Sequence, residues 1–133
     1  QVFAERLRNL EVDVAYPGLA DHPDHEIFKS VGRPEYGFGG LITIDAGSRD
    51  RAERLMEHLQ NTEGFGWMAV SLGYFDTLMS CSASSTSSEM SDAAIESAGI
   101  SPGLVRMSIG ITGSIEQRWT QLERSLRSVG MIQ

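Results

Sequence analysis

The stretch that most constrains the fold is residues 99–110, GISPGLVRMSIG, in which turn residues give way to an apolar strand with one arginine, Arg106. Alternate side chains of a β-strand point to opposite faces of its sheet. Arg106 therefore shares one face with Leu104 and Ser108. The apolar side chains of the other face are predicted to form core, and they are Val105, Met107, Ile109 and Ile111. The sequence thus places a guanidinium in the middle of a sheet, away from the core.

A charged side chain in that position needs a partner. A lone buried charge costs several kcal/mol, so Arg106 must face water, pair with a carboxylate or bind an anionic ligand. The planar fork of arginine suits bidentate recognition of a carboxylate or phosphate. The residues alone leave two interpretations open, a solvated or ion-paired arginine and an anion-binding one.

The spacing of apolar residues predicts helices and strands in the order α-β-α-β-α-β-β-α-β-α. Helices are predicted at the start of the chain, around residues 23–31 with Pro23 in the first turn, over residues 49–60, between Ser91 and Gly99, and after Ser114. The strands that precede Arg106 are predicted at residues 12–16, 41–45, 67–72 and 77–81. The helical side chains predicted to be buried include Ile27, Phe28 and Val31, then Ala52, Leu55, Met56 and Leu59, and finally Ile115, Trp119, Leu122 and Leu126.

This order of elements predicts one α/β (α+β) domain over residues 1–133. Its core would be a small, mostly antiparallel sheet with helices packed on one face. The opposite face, with Arg106 on it, would then be free to cover another part of a protein or a ligand.

Charge and cysteine content exclude several classes of function. The net charge of −7 and the pI of about 4.8 argue against nucleic acid as a partner, because phosphates demand a basic surface. No apolar run approaches the roughly 20 residues that span a bilayer, so no membrane partner is expected. The single cysteine, Cys81, cannot form an internal disulfide and fits a reducing compartment, which predicts the cytoplasm.

Three further stretches carry polar groups, and none predicts a site by itself. His22, Asp24 and His25 are closely spaced, no cysteine or further histidine cluster supports them, and the start of a helix explains them, so no metal site is predicted. The glycine-rich residues 37–40 precede a strand, so they lack the helix N-terminus that would hold a phosphate. The serine-rich residues 80–88 offer hydroxyl and backbone donors, but as a connector they need no ligand.

Six stretches along nearly the whole chain together resemble the Cys/Met-metabolism family of pyridoxal 5'-phosphate (PLP) enzymes. Within it they are most similar to the methionine gamma-lyase branch, in particular its plant-like members. The stretches are VAYPGL at 14–19, HP at 22–23 with His25, GFGG at 37–40, AVSLG at 69–73, SASSTSSE at 82–89 and GISPGLVRMS at 99–108.

The resemblance implies a fold and two binding residues. The fold would be the C-terminal domain of a fold-type I PLP enzyme, packed on a larger PLP-binding domain that this chain lacks. The arginine matching Arg106 would bind the α-carboxylate of the substrate, and the serine matching Ser84 would assist it. The chain has no counterpart of the catalytic lysine, because Lys29, its only lysine, stands in the wrong context. It also lacks counterparts of the residues that bind the cofactor in the family. The chain alone should therefore be inactive.

The implied activity is that of a carbon–sulfur lyase, with γ-elimination of L-methionine to methanethiol, 2-oxobutanoate and ammonia as the first expectation. The implied partners are an amino-acid substrate, the PLP domain and the sister subunits of a homotetramer. Cys81 and Ser82 stand where many relatives have His-Pro, and Ser87 where they have histidine. The alternatives are a cystathionine gamma-lyase or gamma-synthase, an O-acylhomoserine sulfhydrylase, and a non-catalytic carboxylate-binding module.

Overall fold

The computed structural model describes residues 1–85 and 89–133. The helices are α1 (Val2–Asn9), α2 (His25–Val31), α3 (Arg49–Asn61), α4 (Asp92–Ser97) and α5 (Ile115–Ser128). The strands are β1 (Val14–Ala15), β2 (Leu41–Asp45), β3 (Gly66–Met68), β4 (Thr77–Cys81) and β5 (Leu104–Ser108). A 3-10 turn, Pro34–Tyr36, precedes β2. The order of helices and strands is the one that the sequence predicts.

The strands form one sheet in the spatial order β1-β2-β5-β4-β3. The pairs β1–β2, β2–β5 and β5–β4 are antiparallel, whereas β3 runs parallel to β4. The prediction of a mostly antiparallel sheet is confirmed. β5 lies in the centre of this sheet, so Arg106 has a strand on each side.

The hydrophobic core lies between one face of the sheet and the helices. The sheet contributes alternate, fully or nearly buried side chains, which are Val14, Ile42, Ile44, Met79, Val105 and Met107. Helix α3 contacts α5 and the strands β3, β4 and β5, and it buries Ala52, Leu55, Met56 and Leu59 as predicted. Each such leucine contributes about 1.5–3 kcal/mol through its burial. Helices on one face and Arg106 on the other are therefore both explained by strand alternation.

Serine hydroxyls fix the starts of three helices. Ser48, Ser91 and Ser114 accept hydrogen bonds from the backbone N–H groups three residues later, at the N-termini of α3, α4 and α5. Such caps stabilise a helix by roughly 1 kcal/mol each. The predicted starts at Ser91 and Ser114 are confirmed.

Helix α2 corrects one prediction, because none of its residues is buried. Ile27 is 64% exposed and Val31 79% exposed, although helical spacing predicted them in the core. The helix is held instead by aromatic contacts of His25 and Phe28 with the ring of Phe38, at centroid distances of 4.9 and 5.5 Å. Apolar periodicity predicted the helix correctly but could not show which surface lies beneath it.

Three strand predictions were too long. The strand predicted at 12–16 is observed only as Val14–Ala15. The strand predicted at 67–72 ends at Met68, because the parallel pairing of β3 and β4 forces the following residues to return along the sheet. The strand around Arg106 ends at Ser108, so Ile111 lies outside it and is 89% exposed. Ile115, at the first turn of α5, is 56% exposed and does not join the core.

Among the helices that residues 1–85 and 89–133 form, none has the length and apolar character needed to span a membrane.

Candidate anion-binding site

Arg106 lies on the sheet face opposite the helices. Its neighbours along β5, Val105 and Met107, are fully buried in the core, so the alternation of the strand is strict here. In register it stands between Thr43 of β2 and Ser80 of β4. The arginine therefore has a short hydroxyl side chain beside it on each neighbouring strand.

The guanidinium is held by backbone rather than by a carboxylate. The segment 69–75 links β3 to β4, and the Nη2 atom of Arg106 donates to the carbonyl oxygens of Val70 and Ser71, both at 3.2 Å. Within the described part of the chain, no acidic side chain forms an ion pair with Arg106. Its charge is thus not neutralised by a neighbour among those residues.

The Nε atom of Arg106 is buried and has no hydrogen-bond partner among residues 1–85 and 89–133. A buried donor left unsatisfied costs about 1–3 kcal/mol, and more when the group is charged. Two carbonyls therefore hold one end of the guanidinium while another of its donors lacks an acceptor. An incoming carboxylate or phosphate would supply both the acceptor and the opposite charge.

Ser84 lies elsewhere in this arrangement. Its hydroxyl donates to the carboxylate of Glu53 on α3, the helix that covers the core face of the sheet. Its backbone N–H donates to the carbonyl of Cys81 at 3.2 Å. The structure brings Arg106 together with Val70 and Ser71, and shows no contact of Arg106 with Ser84 in the described residues. The carboxylate-binding role of Ser84 stays a prediction, and Ser87 lies outside the described residues.

The two carbonyl partners were missed by the sequence reasoning, which predicted a strand through them. Every residue has a carbonyl, so side-chain identity at Val70 and Ser71 gives no signal. The only local sign was Gly73, whose φ of +74° belongs to a region that L-residues rarely adopt and marks a bend.

A second polar cluster fastens the end of the 69–75 segment. The Oδ1 atom of Asp76 accepts the backbone N–H of Thr77 at 2.8 Å, the hydroxyl of Thr112 at 2.6 Å and Nη2 of Arg118 at 3.1 Å. Burial raises the pKa of Asp76, but these hydrogen bonds and the charge of Arg118 outweigh it and hold the pKa below its usual value. Asp76 is therefore ionised at neutral pH and held in place by these three hydrogen bonds.

The histidine-rich turn has contacts of its own. The Nδ1 atom of His22 accepts the backbone N–H of Asp24 at 3.1 Å. The Nδ1 atom of His25 lies 2.8 Å from the carbonyl oxygen of Pro17, and its ring stacks on Phe38. Within the described residues, no group of three His, Cys, Asp or Glu side chains is arranged to hold a metal ion.

Comparison with known proteins assigns the family. Residues 3–126 match the family described as Cys/Met metabolism PLP-dependent enzyme. The chain is 57% identical over 125 residues to methionine gamma-lyase of Arabidopsis thaliana, covering 94% of this chain and 28% of that protein. It is 36% identical over 96 residues to cystathionine gamma-lyase of Bacillus subtilis, covering 72% of this chain and 24% of that protein.

The fold comparison agrees with the sequence comparison. The crystal structure of cystathionine gamma lyase (CalE6) from Micromonospora echinospora superimposes with a TM-score of 0.78 at 32% identity, covering 95% of this chain and 32% of that one. The chain therefore spans about a quarter to a third of the length of these relatives. On sequence and fold together, the chain belongs to the Cys/Met-metabolism family of PLP-dependent enzymes.

Proposed function

We propose that this chain is the C-terminal, substrate-carboxylate-binding domain of a PLP-dependent carbon–sulfur lyase. The observation that carries the proposal is Arg106, a cation on the open face of the sheet with a buried Nε that lacks an acceptor among the described residues. The full-length enzyme would convert L-methionine to methanethiol, 2-oxobutanoate and ammonia. That choice of substrate is supported by the 57% identity to a methionine gamma-lyase, against 36% to a cystathionine gamma-lyase.

The residues of this chain do not fit the cofactor. PLP supplies an electron sink for the carbanion of an amino-acid substrate, and it is held through the amine of a lysine. Lys29 is the only lysine in the sequence, it is 61% exposed on α2, and its Nζ lies 3.4 Å from a carboxylate oxygen of Glu26. We therefore assign the cofactor to the part of the full-length enzyme that this chain does not cover, and we expect the chain alone to be inactive.

The contribution of Arg106 would be to bind and orient the substrate. The carbonyls of Val70 and Ser71 fix the guanidinium before the ligand arrives, so little side-chain entropy remains to be lost on binding. A carboxylate bound there is placed at a defined distance from whatever faces this side of the sheet. The reacting carbon would then be positioned by the same contact.

Exposed apolar side chains near the site suggest what faces it. Six apolar residues near the site form a group in which each residue is between one third and two thirds exposed. They are Trp67, Met68, Val70, Leu72, Tyr74 and Phe75. Patches of this kind mark interaction sites in soluble proteins. We propose that the group contacts the PLP domain or a sister subunit of a homotetramer. The single free cysteine, Cys81, supports a location in the cytoplasm.

The experiment is a steady-state assay of the full-length enzyme with L-methionine. Arg106→Ala should raise KM by about 10- to 150-fold, as expected for a charge-assisted contact of about 1.5–3 kcal/mol. The matched control is Arg127→Ala, which removes an exposed arginine paired with Glu123 on α5 and should leave KM unchanged. An unchanged KM in Arg106→Ala would contradict the binding role. In a separate incubation, cystathionine formed from cysteine and an O-acylhomoserine, with release of the acyl group as a carboxylate, would favour a synthase over a methionine lyase.

A further inference from the structure

We propose that Asp76 and Arg118 are positioning residues, which hold the 69–75 segment so that its carbonyls orient Arg106 for a substrate carboxylate. This inference rests on the function proposed above for Arg106. The segment has no regular structure, and four of its side chains, Val70, Leu72, Tyr74 and Phe75, are at least half exposed. Within this chain, its path is therefore not fixed by packing of its own side chains.

The segment is attached at both ends, to the sheet at its start and to the chain just after β5 at its end. At its start, the N–H of Ala69 donates to the carbonyl of Met79 on β4 at 2.9 Å. At its end, the carbonyl of Phe75 accepts the N–H of Ile111 at 2.8 Å. Asp76 then adds a charged anchor directly after that bond, so the largest polar cluster of the segment lies at its second end.

Arg118 makes this anchor rigid. Its side chain is 14% exposed, and that of Asp76 is 16% exposed. Besides Asp76, the guanidinium donates to the carbonyls of Gly64 at 2.8 Å, Phe65 at 3.0 Å and Thr112 at 3.0 Å. One side chain of α5 therefore connects the end of the segment to the turn before β3 and to the loop before α5.

The backbone packing at this point is close. A Cβ atom on Gly110 would lie 2.6 Å from both the Cα of Asp76 and the carbonyl oxygen of Phe75, so only glycine leaves room. The N–H of Gly110 also donates to the hydroxyl of Thr77 at 3.0 Å. Because this packing leaves little room at Gly110, we expect a shift at Asp76 to pass along the segment toward Val70 and Ser71. Those are the two carbonyls that hold Arg106.

The test uses the full-length enzyme and two methionine-like probes, L-norleucine and its amide, which differ only in the carboxylate and are assayed as inhibitors competing with L-methionine. We expect Asp76→Asn to raise the KM for L-methionine about tenfold with a much smaller change in kcat, since misplaced binding groups weaken substrate positioning. The preference for norleucine over its amide should fall in the same variant. A merely structural role would lower the amount of active enzyme but leave KM and that preference unchanged.

Two further variants keep the test decisive. Thr112→Val removes the hydroxyl that donates to Asp76 and accepts from Arg118, without removing a charge, so it replaces Asp76→Asn if that variant does not fold. Arg127→Gln on α5 is the control, because its exposed ion pair with Glu123 is separate from this cluster. Unchanged KM and unchanged inhibitor preference in the folded anchor variant would overturn the inference. In that case, a loss of the preference for norleucine over its amide in Arg106→Gln would still support the proposed function of Arg106. If Arg106→Gln also kept that preference, the proposed function would be rejected as well.

Discussion

Gly103 precedes the strand that carries Arg106, and its replacement by alanine should destabilise the domain strongly. An added Cβ would lie 2.5 Å from the backbone nitrogen of Ser48, 2.6 Å from that of Gly47 and 2.9 Å from Oδ1 of Asp45. Two of these are backbone atoms, which cannot rotate away as a flexible side chain would. The start of β5 would have to move away from the loop between β2 and α3.

The magnitude follows from the contacts that would be disturbed. Overpacking in a closed site costs about 1–3 kcal/mol. The hydrogen bond from the N–H of Ala46 to the carbonyl of Gly103 (2.9 Å), and that from the N–H of Gly103 to the hydroxyl of Ser101 (3.1 Å), would be broken at a cost of about 1 kcal/mol each. The lower entropy of the unfolded alanine chain returns about 0.4–1 kcal/mol. We therefore expect a net loss of about 2–4 kcal/mol in the free energy of unfolding.

The assay is urea denaturation of the 133-residue chain, followed by far-UV circular dichroism. Gly40→Ala is the matched control, because among the described residues a Cβ there meets only the carbonyl oxygen of Ile109, at 3.4 Å. The free energy of unfolding should fall by less than about 1 kcal/mol in this variant, because substitutions that cause no steric clash and break no hydrogen bond have small effects. If Gly103→Ala unfolds at the same urea concentration and with the same slope as Gly40→Ala, the steric reasoning is wrong.

Three further outcomes follow from the structure. The pKa of Asp76 is lowered on folding, so its carboxylate stabilises the fold above the pKa that it has when unfolded, and this contribution is lost as the pH falls through the folded pKa. Denaturation at several pH values should therefore show that the stability difference between wild type and Asp76→Asn shrinks on acidification. A difference that grows on acidification would contradict the assignment. Leu55→Ala, at a fully buried site, should lower the free energy of unfolding in urea by about 2–5 kcal/mol. Ile27→Ala, at a site that is 64% exposed, should change it by no more than about 0.5 kcal/mol. Equal losses in the two variants would place α2 in the core. PLP added to this chain should give no absorbance band of a lysine-bound cofactor, and a borohydride-trapped adduct on Lys29 would disprove the assignment of the cofactor to another part of the enzyme.

Periodicity predicted those parts of the fold in which neighbouring residues alternate between two environments. In β5 the pattern of Val105, Arg106 and Met107 was sufficient to separate the core face from the open face. In α3 the stripe from Ala52 to Leu59 identified the buried side of the helix. Periodicity failed for α2, because an apolar stripe does not show whether an element lies beneath it.

The site was only partly predictable for a different reason. A mid-strand arginine needs a partner because of its own charge, so the sequence alone was enough to single out Arg106. Its partners at Val70 and Ser71 are carbonyls, and they reach it only because β3 pairs in parallel with β4. That pairing joins residues through the topology of the whole sheet, and no short window of sequence contains it.

The parallel pair β3–β4 also bears on how this surface can vary. Only eight residues separate Met68 from Thr77, fewer than the dozen or more of a usual crossover, so no helix fits between them and bare backbone comes to lie against the arginine. The side chains of Val70 and Leu72 are 57% and 53% exposed. Substitutions at these two positions can therefore change the shape and polarity of the surface around a bound carboxylate, while the carbonyls of Val70 and Ser71 that hold the guanidinium remain in place.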